Sequence, residues 1–318
     1  MDFLKTKEHN KRYSIFPVVH NDLWQRYKAT VDQLWTAEEV DLSKDRYEGL
    51  SSPEQEYLKN ILAFFTISDG LVIDNLATNF MNESNVLEAS YYYGQQILIE
   101  QIHAETYSLM IDTYIKDNKE KDALFNSMAT NPIVAKKADW ALKWIDSPSF
   151  AERLIAFACV EGISFSSVFG GVFWFKSRNL MPGLSASNEL IVRDETSHYE
   201  FAVYLYNTYL KDEYKVAPER VREIILSCYQ VEAEFIQASM PEGLKGLTRD
   251  NMTQYVQYVT DVVLKDFEVE DEFKVTNPLD YMARIGLSAK NNFFEKVTGE
   301  YTRMKLPEEG ENLFDEEF

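Results

Sequence analysis

Residues Leu154–Phe175, LIAFACVEGISFSSVFGGVFWF, carry a single charged side chain, Glu161, and two adjacent glycines, Gly170 and Gly171. A run of this length could cross a bilayer, which takes about 20 apolar residues. Interrupted by a carboxylate and with no second stretch resembling it, the run reads instead as the buried central helix of a large helical protein. Working outward, Ser147-Pro148-Ser149 opens this helix, which is expected to reach about Lys176 before Met181-Pro182-Gly183 closes the connection. Ser52-Pro53 with Glu54 and Glu56 gives an N-cap, a first-turn proline and early acids. A helical apolar period then runs from Tyr57 toward Phe80. Val86–Lys116, Ser185–Leu210, Pro218–Ala238 and Thr248–Leu264 read as further helices. No stretch alternates with a two-residue period, so a substantial sheet is not expected. The predicted fold class is all-α, with long helices packed as a bundle over residues 1–290. After about Asn291 the apolar period is lost, and residues 291–318 read as a mobile acidic arm.

The 318 residues hold 52 acidic and 32 basic side chains, a formal charge of −20. Such a balance argues against a nucleic-acid backbone as partner, since phosphate binding needs a basic face. Two cysteines, Cys159 and Cys228, exclude a disulfide-built scaffold and suit a reducing compartment. The opening MDFLKTKEHNKRY offers no apolar signal core. A cytoplasmic protein without a membrane partner is expected.

Chemistry enters with carboxylates placed where a solvated surface cannot account for them. Glu161 lies among Ala156, Phe157, Ala158, Cys159, Val160, Ile163 and Phe165, where an unpaired charge would cost several kcal/mol. It must be paired with a buried base, protonated, or bound to a cation. The spacing Glu-x-x-His occurs twice, at Glu100/His103 and Glu195/His198, and uses two of only four histidines. On a helix, positions i and i+3 share a side, so a carboxylate and an imidazole can reach one ion. Either motif alone could be an exposed ion pair; both inside apolar helices favour metal. One lone Glu, two Glu-x-x-His helices and one more carboxylate make the di-metal arrangement of a four-helix bundle. Asp69, amid Phe64, Phe65, Ile67, Leu71 and Val72, is the fourth contributor, chosen over Asp74. Four carboxylates balance two divalent cations, and oxygen and imidazole donors suit iron or manganese.

Five segments carry a resemblance: WTAEEVDLSKD (Trp35–Asp45), FFTISDG (Phe64–Gly70), IEQIHAETYSLMIDTYI (Ile99–Ile115), CVEGISFSSVF (Cys159–Phe169) and LMPGLSASNELIVRDETSH (Leu180–His198). In order and spacing the chain resembles the small, radical-generating subunit of class I ribonucleotide reductase, from about Arg12 to Met304. The resemblance implies a ferritin-like bundle in which Asp69, Glu100, His103, Glu161, Glu195 and His198 hold two metal ions, di-iron, dimanganese or mixed. It implies that Tyr107 matches the tyrosine many members oxidise to a radical, in a pocket of Phe165, Phe169 and Ile191. At roughly 100° per residue Tyr107 lies about 20° from the Glu100 direction, which agrees.

Trp35 and Asp194 match the family's transfer route from His103, with Asp194 as the carboxylate orienting a ligand histidine. Tyr301 matches the relay tyrosine of the tail, and residues 291–318 the peptide that docks on the large subunit. Also implied are a homodimer, a large catalytic subunit that binds the nucleotide, and, for a dimanganese centre, a flavodoxin-like activator. Two cysteines cannot easily supply both a thiyl and a redox dithiol, which fits that division of labour. The rival expectation is a ferritin-like di-metal oxidase or metal-binding protein with no reductase partner.

Overall fold

The computed structural model describes residues 3–4 and 12–282. Among the described residues twelve α-helices run in chain order: α1 (Asn21–Val31), α2 (Ser52–Asn75), α3 (Met81–Glu83), α4 (Leu87–Tyr114), α5 (Asn118–Phe125), α6 (Ser127–Thr130), α7 (Pro132–Ile145), α8 (Phe150–Cys159), α9 (Ser166–Ser177), α10 (Pro182–Tyr204), α11 (Pro218–Ser239) and α12 (Arg249–Asp266). The described residues contain no strand, only an isolated bridge between Leu4 and Ser84. The all-α reading therefore holds among the described residues. Tyr301 and the proposed arm 291–318 lie outside the described residues.

Local chemistry sets the helix starts. Ser51 and Glu54 form a reciprocal capping box with Pro53 in the first turn of α2. Ser149 accepts from the Glu152 N–H to start α8. At α10 the expected start, Ser185, is three residues late. Pro182 opens the helix, and Asp45, from the loop after α1, accepts the N–H groups of Gly183 and Leu184 at 2.6 and 2.9 Å. A cap supplied from 138 positions away leaves no local signature in the sequence.

The bundle is built by α2 on α4, α4 on α10, α10 on α8 and α9, and α2 on α9, with α1 outside α4 and α11 and α12 behind α8 and α9. Gly171 marks the closest approach of α9 to α2: a Cβ there would stand 2.6 Å from both Ile61 Cδ1 and the Tyr57 hydroxyl. Two helical runs, Ser52–Glu83 and Phe150–Ser177, are long and apolar enough to span a membrane, so the expectation of one such stretch is corrected. Within Phe150–Ser177 the apolar window is 89% buried, and those side chains form the core.

The helix expected to run unbroken from Ser149 to Lys176 is also corrected. It is interrupted by a π-turn, Val160–Ser164, and a break at Phe165, with the Phe165 N–H reaching back five residues to the Val160 carbonyl at 3.3 Å. Similar π-turns extend α2 (Leu76–Phe80) and α10 (Leu205–Tyr209). Such turns insert an extra residue and re-aim the side chains around them.

Candidate metal centre

Four helical segments aim acids and imidazoles into one dry region. Asp69 comes from α2, Glu100 and His103 from α4, Glu161 from the π-turn, and Glu195 and His198 from α10. None is more than 4% exposed. One ligand atom each from Glu100, Glu161, Glu195 and His198 lie within 4.8 Å of one another, as do those of Asp69, Glu100 and His103. Glu100 belongs to both groups, so the six residues make two adjoining donor clusters, each able to hold a cation, with a carboxylate in common. Asp74, the alternative on α2, is exposed.

The separations have the right scale. His198 Nδ1 is 3.0 Å from Glu100 Oε1 and 3.1 Å from Glu195 Oε2. His103 Nδ1 is 3.0 Å from Glu195 Oε1 and 3.4 Å from Glu100 Oε2. Donors about 2.1 Å from one ion and at right angles to each other stand about 3 Å apart. Both oxygens of Glu161 and Asp69 Oδ2 have no hydrogen-bond partner among the described residues, and the two oxygens of Glu100 meet the imidazole nitrogens of His198 and His103. Buried polar atoms are ordinarily satisfied. A cluster that leaves this many oxygens bare, all facing inward, fits a pair of hard divalent cations.

Electrostatics agree. Burial first, then repulsion from Glu100, pushes the Asp69 carboxyl well above the usual range. Burial and the neighbouring Glu195 do the same to Glu161. Burial alone would lower His198, but the Glu100 and Glu195 carboxylates outweigh it and lift it to about 9. Without a cation, the arrangement favours the protonated forms of Asp69, Glu161 and His198.

Around this centre the remaining predicted residues fall as follows. His103 Nε2 lies 3.2 Å from Asp194 Oδ2, and the Trp35 indole N–H donates to that same oxygen at 2.8 Å. The Trp35 and His103 rings are 5.8 Å apart at 26°. Trp35 is 3% exposed, so its contact with Asp194 is dry. Burial would raise Asp194, yet the hydrogen bond to His103 and the charges of His103 and Arg193 hold it below the usual carboxylate range.

Tyr107 is fully buried, and burial followed by the charge of Asp69 pushes its phenol well above the usual value. Its hydroxyl donates to Asn188 Oδ1 at 3.2 Å, and its ring stacks on Phe65 at 4.0 Å and 7°. Phe165 and Phe169 pack on Phe65 at 5.8 and 5.6 Å. Ile191, on α10, has no exposed surface. Sequence reasoning missed Phe65 and Asn188. Phe65 sits four residues before Asp69, the helical spacing that could have found it; nothing local to Asn188 distinguishes it.

Comparison with known proteins bears on the same residues. The family model described as "Ribonucleotide reductase, small chain" matches residues 12–278. A ribonucleoside-diphosphate reductase small subunit of Arabidopsis thaliana is 50% identical over 93% of this protein and 89% of its own length. The human ribonucleoside-diphosphate reductase subunit M2 is 46% identical over 98% of this protein and 81% of its own length. Among solved structures, the ribonucleotide reductase Rnr4 homodimer from Saccharomyces cerevisiae superposes with a TM-score of 0.79, at 31% identity, covering 90% of this protein and 91% of that one. These likenesses select the reductase over an unpartnered di-metal oxidase. The protein belongs to the ribonucleotide reductase small-chain family and is a small subunit of ribonucleoside-diphosphate reductase.

Proposed function

We propose that Asp69, Glu100, His103, Glu161, Glu195 and His198 bind two divalent ions, iron, manganese or one of each, which, once oxidised by an external oxidant such as dioxygen or superoxide, would supply a one-electron oxidant. The carrying observation is the set of bare, inward-facing carboxylate oxygens. Tyr107 stores the oxidising equivalent, or lines the centre that does. Its dry pocket, stacked on Phe65 and backed by Phe165, Phe169 and Ile191, keeps reductants away. Asn188 holds the phenol in place.

From the centre, His103, Asp194 and Trp35 make a continuous hydrogen-bonded and stacked path. Asp194 fixes the orientation of the His103 ring and can take the indole proton as Trp35 is oxidised. Tyr301 extends this path to the large catalytic subunit, which binds the nucleotide and reduces it, and residues 291–318 dock there. A homodimer forms through the outer stripe of α4, where Tyr91, Leu98 and Leu109 are 37–44% exposed and Gly94 opens space for a close approach. A flavodoxin-like activator serves the protein only if the ions are manganese. A cytoplasmic location suits the two free, buried cysteines, Cys159 and Cys228.

Elemental analysis with low-temperature electron paramagnetic resonance on the activated protein tests the core of this reading. Two ions per chain are expected, with a radical signal that Tyr107→Phe removes if that residue carries it. Trp35→Phe should leave ions and signal in place yet abolish turnover with the large subunit. Fewer than two ions in the parent protein, or full turnover in Trp35→Phe, would overturn it.

A further inference from the structure

Behind the π-turn lies a second buried charge cluster that no step above uses. Lys137 of α7 and Glu232 of α11 pair at 2.7 Å, with residue exposures of 4% and 0%. The Lys137 ammonium sits 3.4 Å from the centre of the Phe64 ring and 4.2 Å from that of Phe235. An ion pair in such surroundings is a poor device for stability alone, because apolar side chains of similar volume usually do as well or better. What distinguishes this pair is its other contacts. Lys137 Nζ donates to the Ser164 carbonyl at 2.8 Å. Glu232 accepts the Ser167 hydroxyl.

Ser164 ends the π-turn that carries Glu161, and Ser167 lies just beyond the break at Phe165. Within the same short span the Ser166 hydroxyl bonds the Ile163 carbonyl at 2.7 Å. Two helices, α7 and α11, therefore grip both sides of a break whose backbone would otherwise be free to relax into a regular helix. Gly162, next to Glu161, has Tyr199 of α10 against its other flank, where a Cβ would come within 3.0 Å of the ring. The π-turn is held between these contacts.

We propose that Lys137 and Glu232 are positioning residues that pin the Val160–Ser164 π-turn, so that Glu161 reaches Glu100, Glu195 and His198 and completes one of the two cation positions. The pair touches no ion itself; it acts through the Ser164 carbonyl and the Ser167 hydroxyl. This rests on Glu161 being a ligand, as argued under the proposed function.

The test uses the full-length chain freed of metal and titrated with Mn2+, read by calorimetry and by electron paramagnetic resonance. Parent protein should take two Mn2+ and show the broad spectrum of a coupled pair. The double variant Lys137→Met/Glu232→Leu removes both charges at similar volume. It should keep its helical circular dichroism and bind one Mn2+ as before. The second should bind at least tenfold more weakly, with the six-line signal of an isolated ion. Lys137→Arg, which keeps the charge and donors, should restore part of the second affinity. A double variant that binds both ions like the parent would overturn the proposal. If the double variant does not fold, Ser167→Ala isolates one grip; a second affinity about threefold weaker supports the proposal, and an unchanged one overturns it. A parent that never binds two Mn2+ would instead overturn the ligand assignment of Glu161.

Discussion

Two buried acidic regions adjoin the same π-turn, and they are built on opposite principles. At Glu232 the carboxylate meets Lys137 at 2.7 Å and the Ser167 hydroxyl, so its charge is answered by the protein. At Asp69, Glu100, Glu161 and Glu195 the carboxylates face one another and two imidazoles, with no lysine or arginine among their described partners. Glu88 follows the first pattern, paired with Arg12 at 2.6 Å. A compensated acid adds to the folded state; an uncompensated cluster waits for something from outside. The protein tolerates the second only because function requires it, as strained or unsatisfied groups at working sites commonly do.

The contrast can be broken most decisively at Glu100, the carboxylate common to both cation positions. Glu100→Ala should prevent loading of two ions and cut turnover with the large subunit by more than about a hundredfold, beyond the cost of losing a group that merely orients a ligand. Metal analysis and a reductase assay would show it, and two retained ions would mean the cluster is not the site. Next in size is a pair of stability measurements on metal-free protein. Glu232→Gln strands a buried ammonium and should lose about 3–5 kcal/mol, lowering the melting midpoint by roughly 5–7 °C. Glu161→Gln replaces an acid whose charged form burial and repulsion disfavour, and should leave the midpoint unchanged or higher. Equal losses in the two variants would erase the distinction.

Proton counting sharpens it further. His198 is lifted to about 9 and so carries a proton near neutrality without metal, and the upward shifts of Asp69 and Glu161 favour their protonated forms. Loading must expel these protons, and affinity should therefore rise with pH, about tenfold per pH unit for each proton released, until the donors are already deprotonated. Dye-detected proton release in weak buffer would measure the number; none released would mean the donors were free all along. The smallest effect is expected at Asn188→Leu, which leaves the Tyr107 phenol without its acceptor at a cost of about 1–3 kcal/mol. Two ions should still bind, while the radical's spectrum or lifetime changes. An unaltered signal would show that Asn188 does not tune it.

Much of this was legible in the amino-acid sequence, and what escaped has a common cause. Apolar periodicity located α2, α4, α10, α11 and α12, and the two Glu-x-x-His spacings pointed to α4 and α10, whose four side chains the structure brings into one cluster, because i and i+3 share a face. The choice of Asp69 over Asp74 followed from its apolar neighbours, and the structure buries the one and exposes the other. By the same criterion Glu232 and Glu88 are anomalous acids too. Which buried carboxylate has a basic partner depends on residues such as Lys137 and Arg12, 95 and 76 positions away. Such tertiary pairings leave no trace in local spacing. The π-turn was hidden for the opposite reason, since 161, 165 and 169 fit an ordinary helix well enough that nothing announced the extra residue.

The loop between α1 and α2 is fastened at both ends to a single helix. Trp35 ties it to Asp194, and Asp45 ties it to Gly183 and Leu184, two points on α10 about 15 Å apart at the rise of a helix. Asp45 also takes the Tyr114 hydroxyl at 2.5 Å, near the end of α4. A length of backbone tied at both ends to one rod, and to the tip of its neighbour, works as a gauge block. Surface connections ordinarily absorb insertions and deletions. Here one residue more or fewer between positions 36 and 44 would slide two donor-bearing rods against each other, so this stretch should accept changes of letter far more readily than changes of count.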